Sequence, residues 1–209
     1  MKILINSNHS IEIPPLHNVE KDSLIYNDTD KADLLKTYFC SISDLDDNYI
    51  NPPSFATRTD ERRTHITITC NEVLDVLQVL KLGKAYGLDH ISHHMLKYTA
   101  STVCKSLQKP FVFSLRLAVF PDNWKTALVL PLFKNGEKQL PANYRPIALL
   151  STVGKVFERV VFKNMLNFFF SNNLFYKFQS GFTPGHLTFH QLIEIYHRRE
   201  KKTYLSSIL

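Results

Sequence analysis

Cysteine is scarce in this sequence. Its three copies, Cys40, Cys70 and Cys104, lie far apart with no Cys-x-x-Cys pair among them. An odd count at such spacing argues against a full disulfide framework and predicts reduced, buried intracellular thiols. Long apolar runs are missing too. The start, Met1-Lys2-Ile3-Leu4-Ile5-Asn6, holds a short apolar run, whereas a secretory core needs about seven residues or more. No stretch approaches the roughly 18 apolar residues of a membrane span. There is no internal repeat and no low-complexity tract. These absences predict an intracellular chain, in the cytoplasm and/or the nucleus, with no membrane partner.

What is present is aromatic and mildly basic. Hydrophobic residues make up 44% and aromatics 12% of 209 residues, with fifteen Phe and nine Tyr, so the chain can bury a core. That length suits one ordinary domain or one and a half small ones. A net charge of +6 and a pI near 9.2 suit contact with phosphate backbones, and equally suit an ordinary basic soluble protein.

Periodicity divides the chain into elements. Residues 1–29 are polar, carry Pro14-Pro15, and read as a poorly ordered lead-in. A helix is expected from about Asp30, with Ala32, Leu35, Phe39 and Ile42 on one face. Residues 44–64, with Asp44, Asp46, Asp47, Pro52-Pro53 and a charged run from Arg58 to Arg63, have linker composition. Ile66-Thr67-Ile68 is β-prone. Thr69 precedes Glu72 by three positions, a capping box that starts a helix carrying Val73, Leu77 and Leu80, with Gly83 as its C-cap. Residues 102–118 are helical in pattern, although Pro110 in their middle costs about 3 kcal/mol unless the helix kinks or breaks. Thr126 to Phe133 reads as a strand, Asn135-Gly136 as a turn, and Pro146 to Leu150 as a second extended segment. Ser151 can cap a long helix to about Ser171. It turns Val153, Val156, Phe157, Val160 and Val161 inward and Lys155, Glu158 and Arg159 outward. Phe162, Leu166, Phe168, Phe169 and Phe170 then surround its axis and predict a buried end. Thr188 with Gln191 is a second capping box, before an amphipathic helix of Phe189, Leu192, Ile193 and Tyr196.

Four segments in order carry a more specific pattern. The first is Gly83-Lys84-Ala85-Tyr86-Gly87-Leu88-Asp89-His90-Ile91. The second runs from Phe120-Pro121-Asp122-Asn123-Trp124-Lys125 into Val129-Leu130-Pro131-Leu132-Phe133-Lys134-Asn135-Gly136. The third is Asn143-Tyr144-Arg145-Pro146-Ile147-Ala148-Leu149-Leu150-Ser151, with Lys155 and Glu158 after it. The fourth is Gln179-Ser180-Gly181-Phe182-Thr183-Pro184-Gly185-His186. Together they resemble the reverse transcriptases of non-LTR, LINE-type retrotransposons. The family's patterns are close to G-K-A-x-G-P-D-G-I, F-P-x-x-W-K-x-A-x-V-x-P-I-x-K-x-G, N-Y-R-P-I-S-L-L-S and Q-S-G-F-R-P-G. Leu88 stands for a usual proline, His90 for a usual glycine and Thr183 for a usual arginine. The similarity is tight over residues 83–197 and weaker over Ala32 to Ser43.

The resemblance implies an α+β fold, mostly helical: a reverse transcriptase fingers subdomain with a small antiparallel sheet, its palm largely missing. Residues 1–65 would be a helical lead-in and linker, 66–200 the partial reverse transcriptase domain, and 201–209 an unrelated basic tail. It implies that Lys134 and Arg145 face the triphosphate of an incoming nucleotide. The chemistry fits, since Arg offers a planar fork and Lys a mobile point charge to a group carrying several negative charges. Gln179, Ser180, Gly181 and Phe182 would form a loop against template and nucleotide, with Gly181 permitting close backbone approach. Partners would be an RNA/DNA template-primer and a dNTP. The sequence carries no signal for oligomeric state.

The family joins nucleotides with two Mg²⁺ ions held by aspartates that lie beyond the Q-S-G-F segment. After His186 the only carboxylates here are Glu194 and Glu200, and no Y/F-x-D-D occurs. The expectation is a truncated RNA-directed DNA polymerase that binds no cofactor, has no catalytic or metal-ligating residue, and is inactive alone. The alternatives are a residual RNA/DNA-binding module using Lys84, Lys125, Lys134, Arg145, Arg159 and the basic tail His197-Arg198-Arg199-Glu200-Lys201-Lys202, or a non-functional pseudogene product. His90-x-x-His93-His94 and His186-x3-His190 have ligand-like spacings but no cysteine nearby, and read as structural.

Overall fold

The computed structural model describes residues 13–44, 51, 54, 60–61, 65–176, 179–183, 185 and 187–206, with side chains described as far as residue 197. The described residues are mainly helical with two small antiparallel sheets, an α+β arrangement. They fall into two compact units, residues 1–56 with 63–164, and residues 57–62 with 165–209. Most of the expected linker at 44–64 lies outside the described residues.

The first unit opens on a hairpin that the polar lead-in reading did not anticipate. Strands β1 (Leu16–Asn18) and β2 (Ser23–Ile25) pair antiparallel with Leu16 opposite Ile25. Asn18 closes the turn, its Oδ1 accepting from the N–H groups of Glu20 and Lys21, the local bonding that asparagine brings to turns. Order here comes from tertiary contact: Leu16 is fully buried against Leu35 and Tyr144. Helix α1 (Asp28–Ser41) starts slightly before Asp30, because Asn27 is the N-cap and accepts from Thr29 and Asp30 N–H. Leu35 of the expected face is buried and Phe39 half-buried, whereas Ala32 and Ile42 are exposed. Lys31 is buried instead, its ammonium donating to the Ile13 carbonyl and pairing with Asp28, each at 2.7 Å.

The main core of this unit is built by four helices: α2 (Cys70–Gln78), α3 (His93–Tyr98), α4 (Ala100–Leu117) and α6 (Thr152–Ser171). The Thr69–Glu72 capping box forms as expected. Ile66 to Ile68 is not a strand. Ile68 plugs the core, and its carbonyl accepts from the Gln108 side-chain amide at 2.7 Å. Gly83 is not the C-cap of α2, which ends at Gln78 with Val79 as cap; Gly83 takes φ +72° in a later turn. Helix α4 continues through Pro110, neither broken nor shortened there. Pro110 is exposed while Cys104, Phe111 and Ser114 are buried, so packing on one face outweighs the lost hydrogen bond on the other.

After α4 the short helix α5 (Asp122–Lys125) delivers Trp124 to a ring cluster with Phe111, Phe120 and Phe157. Helix α6 begins where Ser151 Oγ accepts from Gly154 N–H, and Val153, Val156, Phe157 and Val160 turn inward as their spacing requires. Its far end does not follow the expectation of burial. Phe162 is 56% exposed and Phe170 46%, because an apolar stripe declares what a helix can bury and not that a partner is there. In the second unit Phe169 and Phe170 pack on Phe175. Helix α7 (Thr188–Ser206) has Thr188 as its first residue and not as its cap, and the Leu187 N–H is taken by His190 Nδ1. Phe189, Leu192, Ile193 and Tyr196 on this helix are exposed.

Candidate functional site: a basic hairpin

Strands β3 (Ala127–Phe133) and β4 (Tyr144–Leu150) pair antiparallel over seven residues, from Ala127 opposite Leu150 to Phe133 opposite Tyr144. Lys134 N–H donates to the Asn143 carbonyl at 2.7 Å and carries the ladder one step further. In the connecting loop Gly136 takes φ +84°, which an L side chain adopts only at a cost. The Asn143 amide lies against it and donates to the Glu137 carbonyl.

Alternation then decides the faces. Leu128, Leu130, Leu132 and Lys134 share one face with Leu149, Ile147 and Arg145, since Leu132 is opposite Arg145. Phe133 and Tyr144 point the other way and stack edge to face at 5.6 Å. The Tyr144 hydroxyl donates to the Lys138 carbonyl at 2.7 Å, and burial pushes its pKa above the ordinary tyrosine value. Tyr144 therefore stays protonated and pins the loop. The same anchoring holds Lys134 and Arg145 together at the loop end of the opposite face. Both are exposed, and among the described residues neither makes an ion pair. The apolar ledge beside them, Leu128, Leu130 and Ile147, is also open to solvent. Neighbouring Lys125 is committed to Asp122, whose carboxyl it holds below the usual range.

The base of the hairpin rests on the first motif. Gly87 is buried where β4 passes into α6, and a Cβ there would lie 2.8 Å from the Leu150 carbonyl carbon and the Ser151 nitrogen. Residues 87–90 form a turn closed by His90 N–H to the Gly87 carbonyl, and Asp89 Oδ1 accepts from Ile91 N–H. His90 adopts φ +55°, the left-handed region that costs a non-glycine residue about 1–2 kcal/mol. His90→Gly is therefore expected to raise stability by about 1 kcal/mol, after the extra unfolded-state freedom of glycine is counted, read as a higher urea midpoint at unchanged slope.

Gln179, Ser180, Gly181 and Phe182 belong to the second unit. They form one turn, with Thr183 N–H donating to the Ser180 carbonyl and Thr183 Oγ1 to the Gln179 carbonyl. Phe182 is fully exposed at φ +59°, and no described protein atom lies within 4 Å of a Cβ built on Gly181. His93 Nδ1 is 2.7 Å from the Lys81 carbonyl, while the His90 ring meets Tyr86 and the His94 ring meets Tyr98. These histidines thus have separate partners. No group of three or more His, Cys, Asp or Glu that could hold a metal occurs among the described residues.

Comparison with known proteins agrees with the motif reading. Over 126 residues, 60% of this chain, it is 30% identical to the probable RNA-directed DNA polymerase from transposon BS of Drosophila melanogaster. Over 122 residues it is 33% identical to the probable RNA-directed DNA polymerase from transposon X-element of the same species. With the RNA-directed DNA polymerase of mobile element jockey from Drosophila funebris it shares 30% identity over 67% of its length. The chain is a relative of the LINE-type reverse transcriptases. It spans about a seventh of these relatives, 14%, 13% and 16% of their respective lengths. No family model matches it. No described helix is long and apolar enough to cross a membrane.

The exposed ledge beside the two cations is the part of this site that sequence reading did not single out. Alternation on both strands carried the signal: once Lys134 and Arg145 are placed on one face, Leu128, Leu130 and Ile147 follow at every second position.

Proposed function

We propose that this stretch is the nucleotide-gripping fingers part of a reverse transcriptase, and that the β3–β4 hairpin contacts the triphosphate through Lys134 and Arg145. The observation that carries the reading is their placement. Register and alternation set both cations at one end of one face, free of ion pairs among the described residues, on a strand pair anchored from behind by Phe133 and Tyr144. A cation from each strand can neutralise a multiply charged group, and the guanidinium can bind two of its oxygens at once. The ledge of Leu128, Leu130 and Ile147 offers an apolar surface beside that charge, suited to the uncharged part of a nucleotide. Gln179 to Phe182 would serve as a template-proximal loop.

Two-metal catalysis needs convergent carboxylates. The sequence holds no Y/F-x-D-D, and this reading assigns the joining step to no residue of the stretch. The stretch is read as one that holds a nucleotide, with an RNA/DNA template-primer as its further partner, and does not polymerise alone.

Titration of a fluorescent dNTP with Mg²⁺ tests the reading. The double variant Lys134→Ala/Arg145→Ala is expected to bind at least tenfold more weakly, about 1.4 kcal/mol or more. Its thermal midpoint should not move, since both side chains are exposed. Unchanged affinity would sink the assignment of these two residues. In a primer-extension assay on an RNA template no incorporation is expected, and robust incorporation by the purified chain would overturn the non-catalytic reading.

A further inference from the structure

Cys70 and Cys104 are distant in sequence, yet their sulfurs are 2.9 Å apart. Cys70 opens α2, directly after the Thr69 cap, and is half-buried. Cys104 lies on α4 and is buried in the core between these helices. Neither carries a disulfide. The expectation of three buried thiols is thus corrected: Cys40 is exposed, Cys70 is partly reachable, and Cys104 alone is buried.

We infer that Cys70 and Cys104 form a reversible dithiol–disulfide pair that exchanges with small-molecule disulfides. The geometry favours closure. A disulfide requires about 2.04 Å between sulfurs, so the gap must shrink by roughly 0.9 Å. Each sulfur is carried by a helix that already packs on the other helix. Burial assigns the order of events. The Cys70 thiolate attacks one sulfur of the small disulfide, breaking its S–S bond and releasing one thiol. Cys104 then loses its proton to water and attacks Cys70 Sγ in the mixed disulfide, releasing the second thiol. Two electrons pass from the protein thiols to the small disulfide, which leaves as two thiols. The hydrogen bond between the two thiols, with burial adding to it, holds Cys70 above the ordinary cysteine pKa. The thiolate is the nucleophile, so exchange is slow at neutral pH and accelerates as pH rises through that raised value.

This inference is independent of the nucleotide-binding reading and is tested on the whole chain carrying Cys40→Ser, which removes the exposed competing thiol. The protein is incubated with oxidised glutathione, alkylated and digested for mass spectrometry. Expected is a cross-link between the peptides of Cys70 and Cys104 that has lost two hydrogens. It should disappear with dithiothreitol, form faster at higher pH, and raise the thermal midpoint by roughly 5–10 °C through the closed loop. With Cys104→Ala added, glutathione should remain on Cys70. The cross-link is read where both thiols are present, so it does not depend on folding of that last variant. Stable glutathione on Cys70 with Cys104 present overturns the pair. So does a Cys70 that stays reduced under conditions that fully modify Cys40 in the unaltered chain.

Discussion

Phe111→Ala is expected to lower stability by about 3–5 kcal/mol, the range for deleting a buried aromatic side chain. Phe111 has no exposed surface, and its ring meets Phe157 at 5.2 Å and Trp124 at 5.6 Å. These partners come from three separate segments: Phe111 from α4, Trp124 from α5, and Phe157 from α6. Truncation leaves a cavity walled by two large rings that are themselves tied to Phe120, so collapse can recover little of the lost contact. Whole domains are stable by only about 5–15 kcal/mol, which makes this loss a large share. Urea unfolding monitored by Trp124 fluorescence reads it directly, because the indole is the other side of the same contact. A midpoint shift below about 1 kcal/mol would show that α4 and α6 do not share this core.

What could be read from the sequence divides by range. The Thr69–Glu72 box and the Ser151 cap were legible because each joins atoms three residues apart, so the pattern contains the whole interaction. Strands β3 and β4 were legible as extended runs, and their alternation fixed which side chains share a face. Lys134 and Arg145 came from the resemblance, which named the residues but not what surrounds them; the anchoring Phe133–Tyr144 pair and the open ledge needed the register. The hairpin of β1 and β2 was not legible, because its order depends on Leu16 meeting Leu35 and Tyr144, a contact no local pattern encodes. The helix expected over 102–118 forms despite Pro110: the local cost of the proline is real, yet Cys104, Phe111 and Ser114 bury the other side of the helix. The juxtaposition of Cys70 and Cys104 follows from the α2–α4 packing and has no signature in cysteine spacing.

Gly87→Ala is expected to cost about 2–3 kcal/mol and to weaken nucleotide binding as well, a combination that Lys134→Ala should not produce. The added Cβ would meet Leu150 C at 2.8 Å, Ser151 N at 2.8 Å and Leu150 O at 2.9 Å. All three are backbone atoms, so no rotamer change relieves the contact. Either the 87–90 turn or the β4–α6 junction must move. The junction carries the Ser151 cap of α6 on one side and the base of the hairpin on the other, so a shift there is felt in the core and in the strand that bears Arg145. Gly83→Ala is the matched control. Gly83 is at φ +72° with nothing within 4 Å of an added Cβ, so its cost is conformational, about 1 kcal/mol, with no consequence for the hairpin. Equal urea midpoints for the two variants would refute the close approach of the first motif to Leu150 and Ser151. A destabilised Gly87→Ala chain whose dNTP affinity is intact would separate that contact from the placement of Arg145.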